Sequence, residues 1–472
     1  MDWLEVIRGA LGGNVVATAA GLMACVAAGI RVRRRSGSEK HKRGVIVRDR
    51  AESRRRIAFC RSTEGALTLA GIPIPPRDET KHFKLIGTTG TGKSTAIGEL
   101  LRTALARGDR AIVADPDAGY RSRFFDKYRG DVVLNPFERG SVKWDPFLEI
   151  GDNHDVEQLA SGLIPASADP SANEWRGYAR TFLAAVLRRR AHARLRDCTE
   201  LWRLLAVASI EELRAVVAGT PAQPFLDSDN ARMFGSIRSV TLSAVAAFEH
   251  VQAQRAAPFS IRRWVREGEN GGTLFIPYQA GQIAALKSMI ATWMRLAIFE
   301  AMSAEENRDQ RLWFIVDELD ALGAMDGLKD ALARLRKFGG RCVLGFQSIA
   351  QVSTTYGAGD AQTIVENCGN TLILRCSGSE NGGTSQFASR LIGEREILRR
   401  QVSRGSDRDG SWSSRGARRS RNTSEQHVIE AAVLPSEIEK LADFSGYLKA
   451  ASSHEWLKVS FGRRPPPQAR LL

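Results

Sequence analysis

The sequence predicts an α/β fold: a mostly parallel sheet with an inserted all-α domain and an N-terminal transmembrane helix. Three observations carry that expectation. A glycine-rich turn stands between a short apolar strand and an amphipathic helix in "FKLIGTTGTGKSTAIGELLRTALARGD". Further apolar runs, "TLFIPY", "LWFIVD", "RCVLGF" and "TLILRC", recur after residue 270 and read as core strands. The stretch between about 150 and 250 reads almost wholly as helix.

At 472 residues the chain exceeds the length at which one hydrophobic core stops growing. The pattern divides it into an anchor at 1–35, a first part of a nucleotide-binding domain at 36–150, the all-α insert at 151–250, and a second part at 251–472. Its 68 Lys and Arg outnumber 53 Asp and Glu for a net charge of +15, which points to a polyanionic partner or an acidic membrane surface. Six scattered cysteines, with no CxxC pair and no histidines at ligand spacing, read as reduced packing residues; neither disulfides nor zinc are expected.

Residues 9 to 30, "GALGGNVVATAAGLMACVAAGI", carry no charge and are followed at once by "RVRRR". Twenty-two residues at about 1.5 Å each cross a bilayer core of about 30 Å. Arg31, Arg33, Arg34 and Arg35 fix the orientation, with everything downstream on the cytoplasmic side. In a cleaved signal peptide the positive charge would precede the apolar run. From 31 to 56 there are twelve Lys or Arg against Glu39, Asp49 and Glu52, read as a solvated juxtamembrane linker held by acidic lipids.

The glycine-rich turn satisfies GxxxxGK[ST] through Gly87, Gly92, Lys93 and Ser94. Across Gly87, Thr88, Thr89, Gly90, Thr91, Gly92, Lys93, Ser94 and Thr95, backbone amides and the helix N-terminus are expected to cradle the phosphates of ATP. Lys93 is expected at the β- and γ-phosphates and Ser94 on Mg²⁺. Such a site needs an acidic strand end. "RLWFIVDELD" supplies it, Asp317 supporting Mg²⁺ and Glu318 orienting or deprotonating the attacking water. Asp115 and Asp117 read as turn-formers near the site, and Asp320 as a surface or capping charge.

"LRKFGGRCVLGFQS" ends an apolar strand on Gln347, an amide placed to hydrogen-bond the γ-phosphate or the water if that strand lies beside the Asp317 strand. The cations upstream lie at the opposite end of the strand and suit a neighbouring subunit's nucleotide instead. Spacing alone leaves Arg334, Arg336, Lys337 and Arg341 open.

Four blocks in order, "DETKHFKLIGTTGTGKSTAIGELL", "VVLNPFERGSVKWDPF", "VDELDALGAMDGLKDALARLRKFGGRCVLGFQSIAQVSTTYG" and "VLPSEIEKLADFSGYL", resemble the type IV secretion coupling proteins of the TraD and TrwB type over most of residues 75 to 460. That family is similar in fold to RecA and FtsK motors, so the resemblance implies a RecA-like P-loop core. It also implies a homo-hexameric ATPase anchored in the bacterial inner membrane, with its body in the cytoplasm. The partners it implies are single-stranded DNA bound without sequence preference, relaxase and relaxosome proteins, and inner-membrane components of the secretion system. By the family's RKFGG motif the trans-acting arginine maps onto Arg336, and its strand-end glutamine onto Gln347. Relatives usually carry two membrane helices, whereas this chain offers one.

Within the insert, "ANEWRGYARTFLAAVLRRR" sets Trp175, Tyr178, Phe182 and Val186 at helical spacing, and "SIEELRAVVAG" shows a capping box of Ser209 and Glu212. The resemblance implies that this domain receives substrate. "GYLKA" and "EWLKVSF" read as an edge hairpin. The segment "RRQVSRGSDRDGSWSSRGARRSRNTSEQ", with eight arginines from Arg399 to Arg421, reads as a mobile loop, equally suited to touching phosphates electrostatically or to standing as a solvated excursion. Two rival functions remain: a substrate-receptor platform in which ATP is an assembly switch, and an FtsK-like double-strand translocase, for which an obvious C-terminal winged-helix module is lacking.

Overall fold

The computed structural model describes residues 39–49 and 66–462, apart from 168, 194–196, 269–270, 304, 308–309, 326, 380–381 and 408–417. The expected span at 9–30 lies outside the described residues, as do Cys25 and Cys60. Among the described residues no helix is long and apolar enough to cross a membrane. The chain forms two compact units: Val47–Ala388 with Pro435–Leu472, and Met1–Ile46 with Ser389–Leu434.

The larger unit is built on a ten-stranded sheet. In chain order its strands are β1 (Ile46–Asp49), β2 (Phe83–Ile86), β3 (Arg110–Pro116), β4 (Val132–Val133), β5 (Thr273–Tyr278), β6 (Leu312–Val316), β7 (Gly340–Phe346), β8 (Asn370–Ile373), β9 (Ser445–Lys449) and β10 (Glu455–Ser460). Their spatial order is β1-β10-β9-β8-β2-β7-β6-β3-β5-β4. From β8 to β4 all pairings are parallel, while β9 pairs antiparallel with β8 and β10. Every residue of β2, β5, β6, β7 and β8 is buried, as a parallel sheet covered on both faces requires. That explains why these strands read as unbroken apolar runs instead of alternating ones. β9 and β10 do form a hairpin, but β10 is not the edge, because β1 pairs outside it.

Buried cations within the strands each find a partner. Arg341 of β7 bonds Glu79 at 3.1 Å and lies over the Trp313 ring at 5.7 Å, so its charge is held inside the fold. Helix α1 (Lys93–Ala106) follows β2 and packs Ala96, Ile97, Leu100, Leu101 and Ala104 on the sheet, a 3.6-residue rhythm.

Between 153 and 253 the chain is helical: α2 (Asn153–Leu163), α3 (Pro170–His192), α4 (Cys198–Ala206), α5 (Ile210–Val217), α6 (Ala231–Ala244) and α7 (Phe248–Ala253). Asp152, Asp169, Asp197 and Ser209 cap the first four of these, their side chains accepting from first-turn backbone amides. In α3, Phe182 and Val186 are fully buried, whereas Trp175 and Tyr178 are half-buried. The expected capping box on α5 is half present. Ser209 accepts from Glu212 N, but the Glu212 carboxylate turns to Arg203, where it meets a full charge.

In the smaller unit, two expectations are corrected. The arginine-rich segment is not a loop throughout: Glu394–Asp407 and Arg418–Ala431 pair antiparallel in unbroken register. Cross-strand partners explain it, since Arg395 faces Glu430 and Arg400 faces Glu425, each pair forming an ion pair at 2.8 Å. The basic stretch Glu39–Gly44 is a strand too, paired with the start of this hairpin, and Glu396 accepts from both Lys42 and Arg43. Those two cations are thus partly neutralised by protein.

Candidate functional site

Four neighbouring parallel strands, β2, β7, β6 and β3, end side by side, and their last residues or the residues just beyond supply the site. β2 runs into Gly87, β6 into Asp317 and Glu318, β7 into Gln347, and β3 carries Asp115. A cavity of about 830 Å³ opens there, lined by the glycine-rich loop, Asp317, Glu318 and Gln347, with Phe444 and Phe461 on one wall. This edge is where parallel α/β sheets bind ligands.

The loop from Gly87 to Thr95 wraps the start of α1. Gly92 holds φ +110°, and a Cβ there would stand 2.8 Å from Phe444 Cδ1, so both backbone and neighbours demand glycine. Lys93 is buried, and its Nζ donates to Gly87 O at 3.3 Å, curling back over the loop it belongs to. Ser94 Oγ donates to Asp317 Oδ2 at 2.6 Å. Tyr120 donates its hydroxyl to the same oxygen at 2.8 Å. Asp317 Oδ1 is shut off from solvent and has no hydrogen-bond partner among the described residues. A buried carboxylate oxygen without a donor, beside a serine hydroxyl, is a hard-oxygen set that fits Mg²⁺.

Beside that pair lies a second chain of contacts. Thr89 Oγ1 donates to Gln347 Oε1, and Gln347 Nε2 donates to Glu318 Oε1, each at 3.0 Å. Burial raises the Glu318 carboxyl above its ordinary value, and the neighbouring Asp317 charge adds to this while Lys93 opposes it. Asp115 is fully buried and accepts from Tyr120 N at 2.8 Å and Arg121 N at 2.7 Å, so it does form the turn. Burial pushes its carboxyl up to about 6 against the pull of those amides. Asp320, expected as a surface or capping charge, has one carboxylate oxygen closed off from solvent.

Lys93, Ser94, Asp317, Glu318 and Gln347 are therefore brought together, and Arg336 is not. It sits in the single turn Leu335–Phe338 before β7, exposed, making no ion pair among the described residues. The seven residues of β7, roughly 23 Å at 3.3 Å each, separate it from Gln347. Of the other cations, Arg341 is buried on Glu79 and Lys337 pairs with Glu306 at 3.7 Å; Arg334 is exposed like Arg336.

Two tyrosines escaped the sequence reading. Tyr120 orients Asp317, and Tyr278, at the end of β5, is buried with its hydroxyl unpartnered among the described residues; burial raises its pKa, and the Glu318 and Asp317 charges add to this. Tyr278 carried a signal in "TLFIPY", as a polar group ending a buried strand.

The family described as type IV secretion-system coupling protein DNA-binding domain matches residues 66–462. This chain belongs to that family. The coupling protein TraD of Escherichia coli K12 is 30% identical over 413 residues, 85% of this chain and 55% of TraD. A conjugal transfer protein TraG of Escherichia coli is 23% identical over 370 residues, 68% of this chain and 56% of TraG. The chain thus spans about half the length of the curated relatives it matches. Among solved structures, the plasmid coupling protein TrwB in complex with ADP and Mg²⁺ superposes with TM-score 0.78 at 29% identity, covering 90% of this chain and 95% of TrwB. TrwB with the ATP analogue ADPNP gives 0.77 at 28%, covering 90% and 97%. The RecA-like P-loop core with a helical domain is accordingly the architecture of this coupling protein.

Proposed function

We propose that this coupling protein binds Mg²⁺-ATP at the Gly87–Thr95 loop and hydrolyses it to move single-stranded DNA toward a secretion channel. The observation that carries the reading is the Thr89–Gln347–Glu318 chain of hydrogen bonds lying beside the Lys93, Ser94 and Asp317 cluster. A loop that only holds nucleotide needs no raised carboxyl beside its phosphate cradle. Glu318, held by Gln347, is placed to take a proton from water, and its raised pKa makes it a stronger base. Lys93 and the loop amides hold the phosphates, while Ser94 and Asp317 hold the metal. Bound Mg²⁺ supplies charge neutralisation on the phosphate oxygens. Tyr120 fixes the Asp317 carboxylate beside Ser94, where the two residues would hold that ion.

TrwB structures with ADP and Mg²⁺ and with ADPNP support the choice of ligands. The net charge of +15 supports a DNA partner bound through phosphate, without sequence preference. Membership of the family supports relaxosome and secretion-channel partners and a homo-hexamer in which Arg336 faces the neighbour's nucleotide. The uncharged run at 9–30 with its trailing arginines supports an inner-membrane anchor and a cytoplasmic body.

The test is ATP turnover by the full chain in detergent, with and without single-stranded DNA, over a range of protein concentration. Turnover that DNA stimulates, that rises faster than linearly with protein, and that Lys93→Ala abolishes is the expected result. Turnover indifferent to DNA and linear in protein overturns the motor in favour of a receptor platform.

A further inference from the structure

A second cleft, of about 500 Å³, lies between the loop that follows β4 and the end of α7 with the segment that follows it. Its size falls within the roughly 300–1,000 Å³ of small-ligand sites. Phe137 stands in it, 36% exposed, with its ring 4.3 Å from that of exposed His250. Arg139 and Arg255 flank the two rings, exposed and without an ion pair among the described residues. The one acid of the cleft, Glu138, is already taken by Arg121.

The loop is set before any ligand arrives. Asn135 N donates to Ser141 Oγ and Phe137 N donates to Asn135 Oδ1, each at 2.8 Å, and Asn135 Nδ2 donates to Pro277 O at 2.8 Å. An aromatic ring held out to solvent by three hydrogen bonds behind it is preorganised for stacking, because little conformational entropy remains to be lost. β4 is parallel to β5, so the cleft opens on the same sheet edge as the phosphate site. Arg121 ties the two: its amide is bound by Asp115 and its guanidinium by Glu138.

We propose that this cleft binds single-stranded nucleic acid, one base stacking on the Phe137–His250 pair while Arg139 and Arg255 take the adjoining phosphates. Stacking rings interleaved with cations read a base by its π-face and a backbone by its charge, without choosing sequence. An acidic peptide would satisfy the arginines but leave the paired rings without a role. The inference rests on the DNA-binding reading above and names a place for it.

The test is anisotropy of labelled oligothymidylate with the full chain, at several salt concentrations. Phe137→Ala is expected to weaken binding about 5- to 150-fold and Phe137→Trp to leave it near wild type. Arg139→Ala with Arg255→Ala is expected to flatten the slope of log affinity against log salt by about 1.4, two single-strand phosphate contacts at about 0.7 each. ATP turnover without DNA stays at the wild-type level in all three, since none of these residues lines the phosphate cavity. If wild type itself fails to bind oligothymidylate, the DNA reading falls and this inference with it. If wild type binds and Phe137→Ala binds equally well, or Phe137→Trp is as weak as Phe137→Ala, the cleft is not the site. A Phe137→Ala chain that binds DNA normally but sediments as a smaller assembly makes the cleft a subunit contact and likewise overturns the proposal.

Discussion

Gln347 and Glu318 are joined by a 3.0 Å hydrogen bond, amide Nε2 to carboxylate Oε1, just past the ends of adjacent parallel strands. The amide's own oxygen is occupied by Thr89 of the phosphate loop. Loop, amide and carboxylate therefore form one chain of hydrogen bonds.

Two substitutions separate the roles in that chain. Glu318→Gln keeps the size and a hydrogen-bonding partner for Gln347 but cannot take a proton. Turnover should fall about 10²- to 10⁴-fold while ATP affinity stays near wild type. Gln347→Ala leaves Glu318 ionisable but unoriented, and turnover should fall by up to about 10²-fold. Single-turnover kinetics beside equilibrium nucleotide binding measure both; a parallel loss of ATP affinity in Glu318→Gln would contradict the assignment.

Tyr120→Phe removes one donor from Asp317 Oδ2 and leaves Ser94 as the only donor to that oxygen among the described residues. The carboxylate is then free to rotate away from the metal position. Loss of an outer partner of this kind typically weakens metal binding 10- to 100-fold. The Mg²⁺ concentration for half-maximal turnover should rise by that factor, with nucleotide binding in the absence of Mg²⁺ unchanged. An unaltered Mg²⁺ dependence would show that Ser94 alone suffices.

The phosphate loop was legible in the sequence because its function is local: nine consecutive residues, Gly87 to Thr95, carry it, with a strand before and a helix after. Asp317 and Glu318 were legible because an apolar run ending on acids has few structural uses. Tyr120 was not, since its bond to Asp317 spans 197 positions and a tyrosine in a turn otherwise signals only packing. The paired strands Glu394–Asp407 and Arg418–Ala431 were misread for a related reason. Their composition is that of a solvated loop, and the oppositely charged pairs Arg395–Glu430 and Arg400–Glu425 appear only once a register is known. Placing Arg336 away from its own nucleotide needed only strand direction, which the motif order gave.

His82 gives the fold an acid sensitivity. Cys342 N donates to its Nδ1 at 3.0 Å, so the proton of the neutral ring lies on Nε2, which donates to Leu332 O at 2.8 Å. Burial, with the Arg341 and Arg336 charges adding to it, pushes its pKa from 6.5 down to about 4. Between those values the unfolded chain binds the proton and the folded one does not, so stability rises with pH across that window. Acidification from pH 7 to pH 4 should cost wild type about 3 kcal/mol that His82→Gln does not lose, the gap in pKa converted at about 1.4 kcal/mol per unit. Denaturant midpoints of the two proteins should therefore converge as pH falls. A gap that stays constant from pH 7 to pH 4 would remove His82 as the source.

Arg336 is expected to act on a neighbour's nucleotide, and mixing tests it. Its turn precedes β7 at the sheet edge opposite the phosphate loop, it is exposed, and it makes no ion pair among the described residues. An exposed guanidinium without an ion pair has its full charge to give, and arginines supplied in trans accelerate phosphoryl transfer about 10³- to 10⁵-fold where measured. Arg336→Ala alone should be nearly inactive, as should Lys93→Ala alone. Mixed together before assembly, the first brings an intact phosphate loop and the second an intact arginine, so turnover should reappear. Arg334→Ala, also exposed and two residues earlier, serves as the control and should retain activity. If the mixture stays inactive while each variant assembles normally, Arg336 serves its own subunit's fold and the neighbour's nucleotide is completed by another residue.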